Sequence, residues 1–175
     1  MRVEFGGCGA PQEGMAREGY LQADANAYEG VELLADLRAL PLRGVSEIYM
    51  SHVLEHIPDA EVVSVLRECH RALIPGGKLE LFVPDLAWHL RAFLGARTSE
   101  ERWGIHLRSI YGSQDGPGQE HRTGFSVRRL VMMLMMGGFR SIKCKRRRRE
   151  ERRWQMGWMN RFTYWPMEIW AEAYT

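Results

Sequence analysis

The chain has 175 residues, 45% of them hydrophobic, and a formal net charge of +2. That suffices for one domain over 1–175 around a single core, and argues against two. No run approaches the roughly 18 apolar residues of a bilayer span, and the start MRVEFGGCGA lacks the apolar stretch of a signal peptide, so no membrane span and a cytoplasmic location are expected.

Apolar segments bounded by turn residues alternate with helical patterns, which predicts an α/β layered sheet. A first strand is expected at Arg2 to Phe5, running into Gly6, Gly7, Cys8 and Gly9. GYLQA reads as a second strand ending at Asp24, Val31 to Leu34 as a third before Asp36, and Glu47 to Met50 as a fourth. Between Gly9 and Asp24, Pro11 and Gly14 leave room only for a helical stub. PDAEVVSVLRECHRAL then places Val62, Leu66, Cys69 and Leu73 on one helix face, with Asp59 as the expected N-cap.

Pro75-Gly76-Gly77 ends that helix, and LELFV follows as a buried strand. A helix after Asp85 is expected to present Leu86, Leu90, Phe93 and Leu94, and another from near Ser99 to present Trp103, Leu107, Ile110 and Tyr111. GSQDGPGQEHRTG is too rich in glycine and proline for regular structure and is expected to be a mobile loop. A helix capped at Ser126 carries Leu130, Val131 and Leu134 and stops at Gly137-Gly138, and its Met132, Met133, Met135 and Met136 read as core and margin. From Phe139 the pattern predicts two strands joined by EERRWQMGWMNRFTYWP. Cys8, Cys69 and Cys144 are too scattered for a zinc ribbon or a disulfide framework.

The segment EIYMSHVLEHIPDAEVVSVLRECHRALIPGGKLELFVPDL resembles the fourth strand, following helix and fifth strand of class I S-adenosylmethionine-dependent methyltransferases. The likeness rests on Ser51, Leu54-Glu55-His56, Arg71-Ala72-Leu73-Ile74-Pro75-Gly76-Gly77 and Pro84-Asp85. LVMMLMMGGFRSIKCK is similar to the family's last helix and sixth strand, and EIWAEAY to its closing strand. The resemblance implies a Rossmann-like, doubly wound, mostly parallel sheet with a C-terminal antiparallel hairpin. It also implies S-adenosylmethionine as cofactor, with S-adenosylhomocysteine as product. Phe5, Gly6, Gly7 and Gly9 would form the cofactor loop, Asp24 with Ala25 would hold the ribose, and Asp36-Leu37 would meet the adenine. Ser51 and His52 would face the methionine moiety or the acceptor. The acid usually found two residues before the Gly-x-Gly stands one residue earlier here, at Glu4.

Methyl transfer from a sulfonium is an in-line displacement, so positioning dominates and an acceptor proton is removed where necessary. Asp85, His121 and His52 are the candidates for that proton, with His121 and Asp85 the preferred pair. Simpler roles stand beside each assignment: Asp24 as a solvated turn residue, Asp36 as a cap. His52-Val-Leu-Glu55-His56 also matches the His-x-x-Glu-His pattern of zinc peptidases, but a strand before it and a new helix start at Pro58 put His52 ahead of any helix, so no metal is expected.

KCKRRRREERR is either a solvated hairpin or a polyanion site. Trp154, Trp158, Phe162, Tyr164 and Trp165 would wall a pocket or pair with a second subunit. The acceptor expected is a small metabolite or glycan, covered by 86–125 and 150–166 with a homodimer as one way to complete the cover. A noncatalytic binding protein of the same fold and a nucleic-acid methyltransferase are the alternatives.

Overall fold

Alternation of apolar and polar side chains builds one seven-stranded sheet. The computed structural model describes residues 1–6, 17–114, 116, 118–148 and 167–175, Arg148 by its backbone alone. The strands are β1 (Arg2–Phe5), β2 (Leu21–Asp24), β3 (Leu33–Leu34), β4 (Val45–Ser51), β5 (Leu73–Pro84), β6 (Ser141–Arg148) and β7 (Met167–Tyr174), in the order β3-β2-β1-β4-β5-β7-β6. β1 to β5 are parallel to one another, while β7 runs antiparallel to both β5 and β6. This is the predicted mostly parallel sheet with an antiparallel C-terminal pair. The chain leaves β1 toward β2 on one side and returns to β4 on the other, which makes the β1/β4 gap the switch point where open sheets bind ligands.

Val3, Ile48, Met50, Leu79, Val83, Ile169 and Ala171 lose all solvent contact on one face. They share a core with Leu66 and Cys69 of helix α1 (Val62–Ala72) and Leu130 and Leu134 of helix α4 (Val127–Met136). Each Val, Leu, Ile or Met side chain so removed from water contributes roughly 1.5–3 kcal/mol. The intervening positions carry charge: Lys78 Nζ lies 2.7 Å from Glu47, 3.2 Å from Glu80 and 3.8 Å from Glu172, and the Trp170 indole N–H donates to Glu80 at 3.0 Å. The Arg17 guanidinium sits 3.8 Å from the Tyr49 ring centre.

Several expectations change. Asp59 does not cap α1: it opens a 3-10 turn (Asp59–Glu61), and its carboxylate pairs with Arg129 and accepts from the Thr123 hydroxyl. β5 begins at Leu73, before the Pro-Gly-Gly; four residues of β5 (74 to 77) stand opposite one of β4 (Ser46), and Gly76 takes φ +74° in that bulge. In α2 (Leu86–Gly95), capped by Asp85, Leu90 and Leu94 are exposed and His89 is the buried residue. The next helix is π-helical over Glu100–Leu107 and continues as α3 (Arg108–Tyr111); there Trp103 and Tyr111 are exposed and His106 is buried. Apolar spacing marked these helices correctly but not the faces they bury, because their inward faces are histidines. Ser126 caps α4 as expected, accepting from the Arg129 N–H at 3.3 Å.

Candidate functional site

The carboxyl ends of β1 and β2 form the first part of the site. Phe5 is core, and the chain turns off β1 at Gly6 with φ +75°, its N–H donating to the Ala23 carbonyl at 3.2 Å. A Cβ on Gly6 would stand 2.5 Å from Val53 Cγ2, so the turn tolerates only glycine at this approach. Gly7 and Gly9, the remainder of the expected cofactor loop, lie outside the described residues, as do Cys8, Pro11 and Gly14. Glu4 points to the other face, where its buried carboxylate accepts from the Arg17 backbone N–H at 2.6 Å and Gln22 Nε2 at 3.0 Å, tying the return of the loop to β1.

Asp24 ends β2 half-buried. Its Oδ1 accepts from the Asn26 backbone and side chain at 2.9 and 3.4 Å, and its Oδ2 has no hydrogen bond among the described residues. Ala25 beside it is exposed. Asp36 is also accessible, but its Oδ1 accepts from the Arg38 N–H at 2.9 Å and pairs with the Arg38 guanidinium at 3.3 Å, while the Leu37 side chain is core. The turn-capping role read for Asp36 is thus present, whatever else it contacts.

The second part lies at the end of β4. Ser51 is half-buried opposite Phe82, and His52 adopts φ +57°, a strained conformation for a non-glycine residue. Its N–H donates to the Phe82 carbonyl at 3.0 Å. The ring bridges two buried carboxylates, Nδ1 to Glu55 Oε1 at 3.0 Å and Nε2 to Glu168 Oε2 at 3.3 Å. A neutral ring could donate to only one of them. Arg147 Nε donates to the other Glu168 oxygen at 3.0 Å. His52 precedes the 3-10 turn Leu54–His56, as the sequence predicts.

Burial alone would raise the Glu55 carboxyl; the His52 hydrogen bond and the charges of His52, His56 and His121 more than offset it and hold it below the usual carboxylate range. The Glu55 backbone carbonyl accepts from Arg122 and Thr123 N–H at 2.8 and 3.1 Å. This pins the end of the glycine-rich loop and brings His121 to the site, its ring centre 5.0 Å from that of His56. Burial lowers the His121 pKa, with the nearby histidines adding to the effect against the pull of Glu55. A cavity of about 10 Å³, lined by Glu55, Leu86, His121 and Thr123 among others, has room for one water-sized atom.

Asp85 at the tip of β5 is fully buried. Its Oδ1 accepts from the Trp88 N–H at 3.2 Å and its Oδ2 from the Arg146 guanidinium, so both oxygens are taken and no hydrogen bond joins Asp85 to His121. The structure therefore gathers His52 and His121 about Glu55 and leaves Asp85 as a helix cap and ion-pair partner. Glu168 was not singled out from the sequence, and Glu55, Arg146 and Arg147 appeared there only within longer motifs, without these partners. Nor was the buried pair of His89 and His106, whose Nδ1 atoms are 3.4 Å apart; burial first, and His106 second, push His89 down to about 4. No local pattern marks residues whose partners lie 61 to 116 positions away.

The glycine turn at the end of β1 and the carboxylate at the neighbouring end of β2 stand at the strand ends where open α/β sheets bind ligands. Residues 14–81 match the family model described as a methyltransferase domain. No curated protein matches in sequence. Among solved structures, a SAM-dependent methyltransferase from Thermotoga maritima is similar over 99% of this chain and 81% of its own, at 15% identity and TM-score 0.60. One from Methanosarcina mazei is similar over 99% and 91%, at 16% and 0.60. The 1,6-didemethyltoxoflavin-N1-methyltransferase of Burkholderia thailandensis, solved with 1,6-didemethyltoxoflavin and S-adenosylhomocysteine, is similar over 99% and 70%, at 14% and 0.57. The fold is thus the one these SAM-dependent methyltransferases share, and residues 14–81 carry the match to a methyltransferase domain, which makes S-adenosylmethionine the cofactor to test against the site. The described residues fit that group where they can be tested: the Gly6 turn keeps side chains off the end of β1, and Asp24 Oδ2 is an open acceptor beside it.

Proposed function

We propose that this chain transfers a methyl group from S-adenosylmethionine to an oxygen or nitrogen of a small metabolite or glycan. The observation that carries the reading is the pairing of the Gly6 turn with the open oxygen of Asp24 at adjacent strand ends. When bound, the cofactor supplies an electrophilic methyl on a sulfonium. Asp24 accepts from ribose hydroxyls, Gly6 with Gly7 and Gly9 lets the backbone approach the ligand, Ala25 leaves the neighbouring surface open, and Asp36 with the Leu37 backbone faces the adenine edge. Phe5 anchors the turn from the core. Ser51 and His52 line the methionine and acceptor side. Burial favours the neutral His121 ring, which keeps one nitrogen lone pair available on the acceptor side. Asp85 acts through Arg146 and the α2 cap, as a positioning residue.

A small acceptor is supported by the state of the basic strand. Among the described residues of that strand, Lys143 pairs with Glu172 at 3.5 Å, Arg147 with Glu168 at 3.0 Å, and Arg146 with Asp85, so these three cations are already engaged within the sheet. The Burkholderia enzyme, whose bound 1,6-didemethyltoxoflavin is methylated at N1, is a neighbour with a small-molecule acceptor. The segments 86–125 and 150–166 remain the proposed cover; 150–166, with Trp154, Trp158, Phe162, Tyr164 and Trp165, lies outside the described residues. Exposed Leu90, Leu94, Trp103 and Tyr111 suit a cover or a homodimer, which light scattering would test. Among the described residues no helix is long and apolar enough to cross a membrane. Cytoplasmic location stays a proposal.

Isothermal titration of the full chain with S-adenosylmethionine and S-adenosylhomocysteine tests the reading. Saturable binding of both, lost in Asp24→Asn, followed by label transfer to a small hydroxyl or amine acceptor, supports it. Folded protein that binds neither ligand returns the noncatalytic alternative.

A further inference from the structure

Glu55, His56 and His121 each offer a donor atom within 4.8 Å of the others, the kind of spacing a metal ion closes. The Nδ1 of His56 lies 3.0 Å from the Glu120 carbonyl oxygen and that of His121 lies 3.1 Å from the Ser109 carbonyl oxygen. A carbonyl only accepts, so in each ring Nδ1 carries the hydrogen and Nε2 keeps the lone pair of the neutral form. This is the arrangement in which an outer hydrogen bond fixes the tautomer and orientation of a metal-binding histidine. Glu55 adds an independent sign: its side chain is 1% exposed, and while Oε1 is held by His52, Oε2 is buried with no hydrogen-bond partner. A buried carboxylate oxygen left in this way is costly unless something positive meets it.

We infer that Glu55, His56 and His121 form a binding site for a divalent first-row transition metal of the zinc type, beside the carboxyl end of β4. Two imidazoles and one carboxylate suit such an ion better than magnesium or calcium, which prefer oxygen ligands. Three protein donors leave a further position for a water or an acceptor oxygen, and the small cavity bordered by Glu55 and His121 has space for one such atom. The site differs from the zinc-peptidase pattern in the sequence. His52 is not a ligand, since its two nitrogens meet Glu55 and Glu168, and the second histidine comes from the loop 65 residues beyond His56.

The test is calorimetric titration of the chelator-stripped full chain with Zn²⁺ alone, and with Co²⁺ as an absorbance probe of nitrogen and oxygen ligation. One Zn²⁺ per chain is expected, weakened at least about tenfold in His56→Ala and in His121→Ala, and unchanged in His70→Gln. The half-buried His56 makes the first variant one that folds, which circular dichroism verifies. No binding by wild type, binding undiminished in folded His56→Ala, or a cobalt spectrum dominated by thiolate charge transfer would each overturn the site. Asp24→Asn is expected to lose S-adenosylhomocysteine and keep Zn²⁺, so the metal site and the methyltransferase reading fail separately.

Discussion

The two halves of the strand-end surface are built differently. At the ends of β1, β2 and β3 the side chains are short, reach solvent and make only local bonds: Asp24 accepts from Asn26 and Asp36 from Arg38, each two residues away. At the ends of β4, β5 and β7 the polar groups are buried and joined across the chain, His52 to Glu168, Asp85 to Arg146, Glu55 to the 121–123 loop. A ligand-facing carboxylate must stay open, whereas a buried one must be paired or its charge is destabilising. Substitutions in the first half are therefore expected to cost ligand binding, and in the second half to cost stability.

The largest effect expected is from Asp85→Ala, which removes a helix cap and the charge-assisted hydrogen bond from Arg146 at a fully buried carboxylate. Urea denaturation should show a loss of about 3 to 4 kcal/mol. Stability unchanged by this variant would erase the distinction between the halves.

Next is acid sensitivity. The folded His89 ring resists protonation until about pH 4, while the unfolded ring accepts a proton near its ordinary 6.5. Between those values the unfolded chain binds more protons, so this contribution is complete above about pH 6.5 and falls away toward pH 4, by up to about 3 kcal/mol. His89→Phe should flatten that part of the stability profile measured by denaturation at a series of pH values.

In the other half, Asp24→Asn should weaken S-adenosylhomocysteine binding about tenfold to hundredfold, the worth of a charged hydrogen bond, and leave the ligand-free melting temperature nearly unmoved. The smallest effect is expected for Asp36→Ala: about 0.5–1 kcal/mol of stability from the lost turn cap. A parallel fall in ligand affinity would show that Asp36 also reads the adenine, and affinity equal to wild type would confine it to the turn.

The same division explains how much could be read in advance. β1 ends at Phe5 in both sequence and structure, and the Ser126 cap and the buried stripe of α1 agree as well, because each is decided by neighbours within a few positions. Gly6 and Asp24 were likewise legible as a strand exit and a strand-end acid. The acceptor side was not. Asp85 looked like a projecting base, yet a residue 61 positions on neutralises it, and α2 looked apolar on its inward side although His89 is what it buries. Leu-Glu-His was visible as a motif, but that Glu55 gathers three histidines depends on where the 121–123 loop docks.

The position of β7 between β5 and β6 also sets an order of events during synthesis. The strands β1 to β5 can pair as they emerge, but Glu168 arrives more than 110 residues after His52, and β6 has no neighbour in the sheet until β7 slots in. A nascent chain would thus complete the ends of β1 to β3 well before the His52–Glu168 contact, and until β7 is made the flank of β5 stays an open edge that chaperones or stray strands can reach.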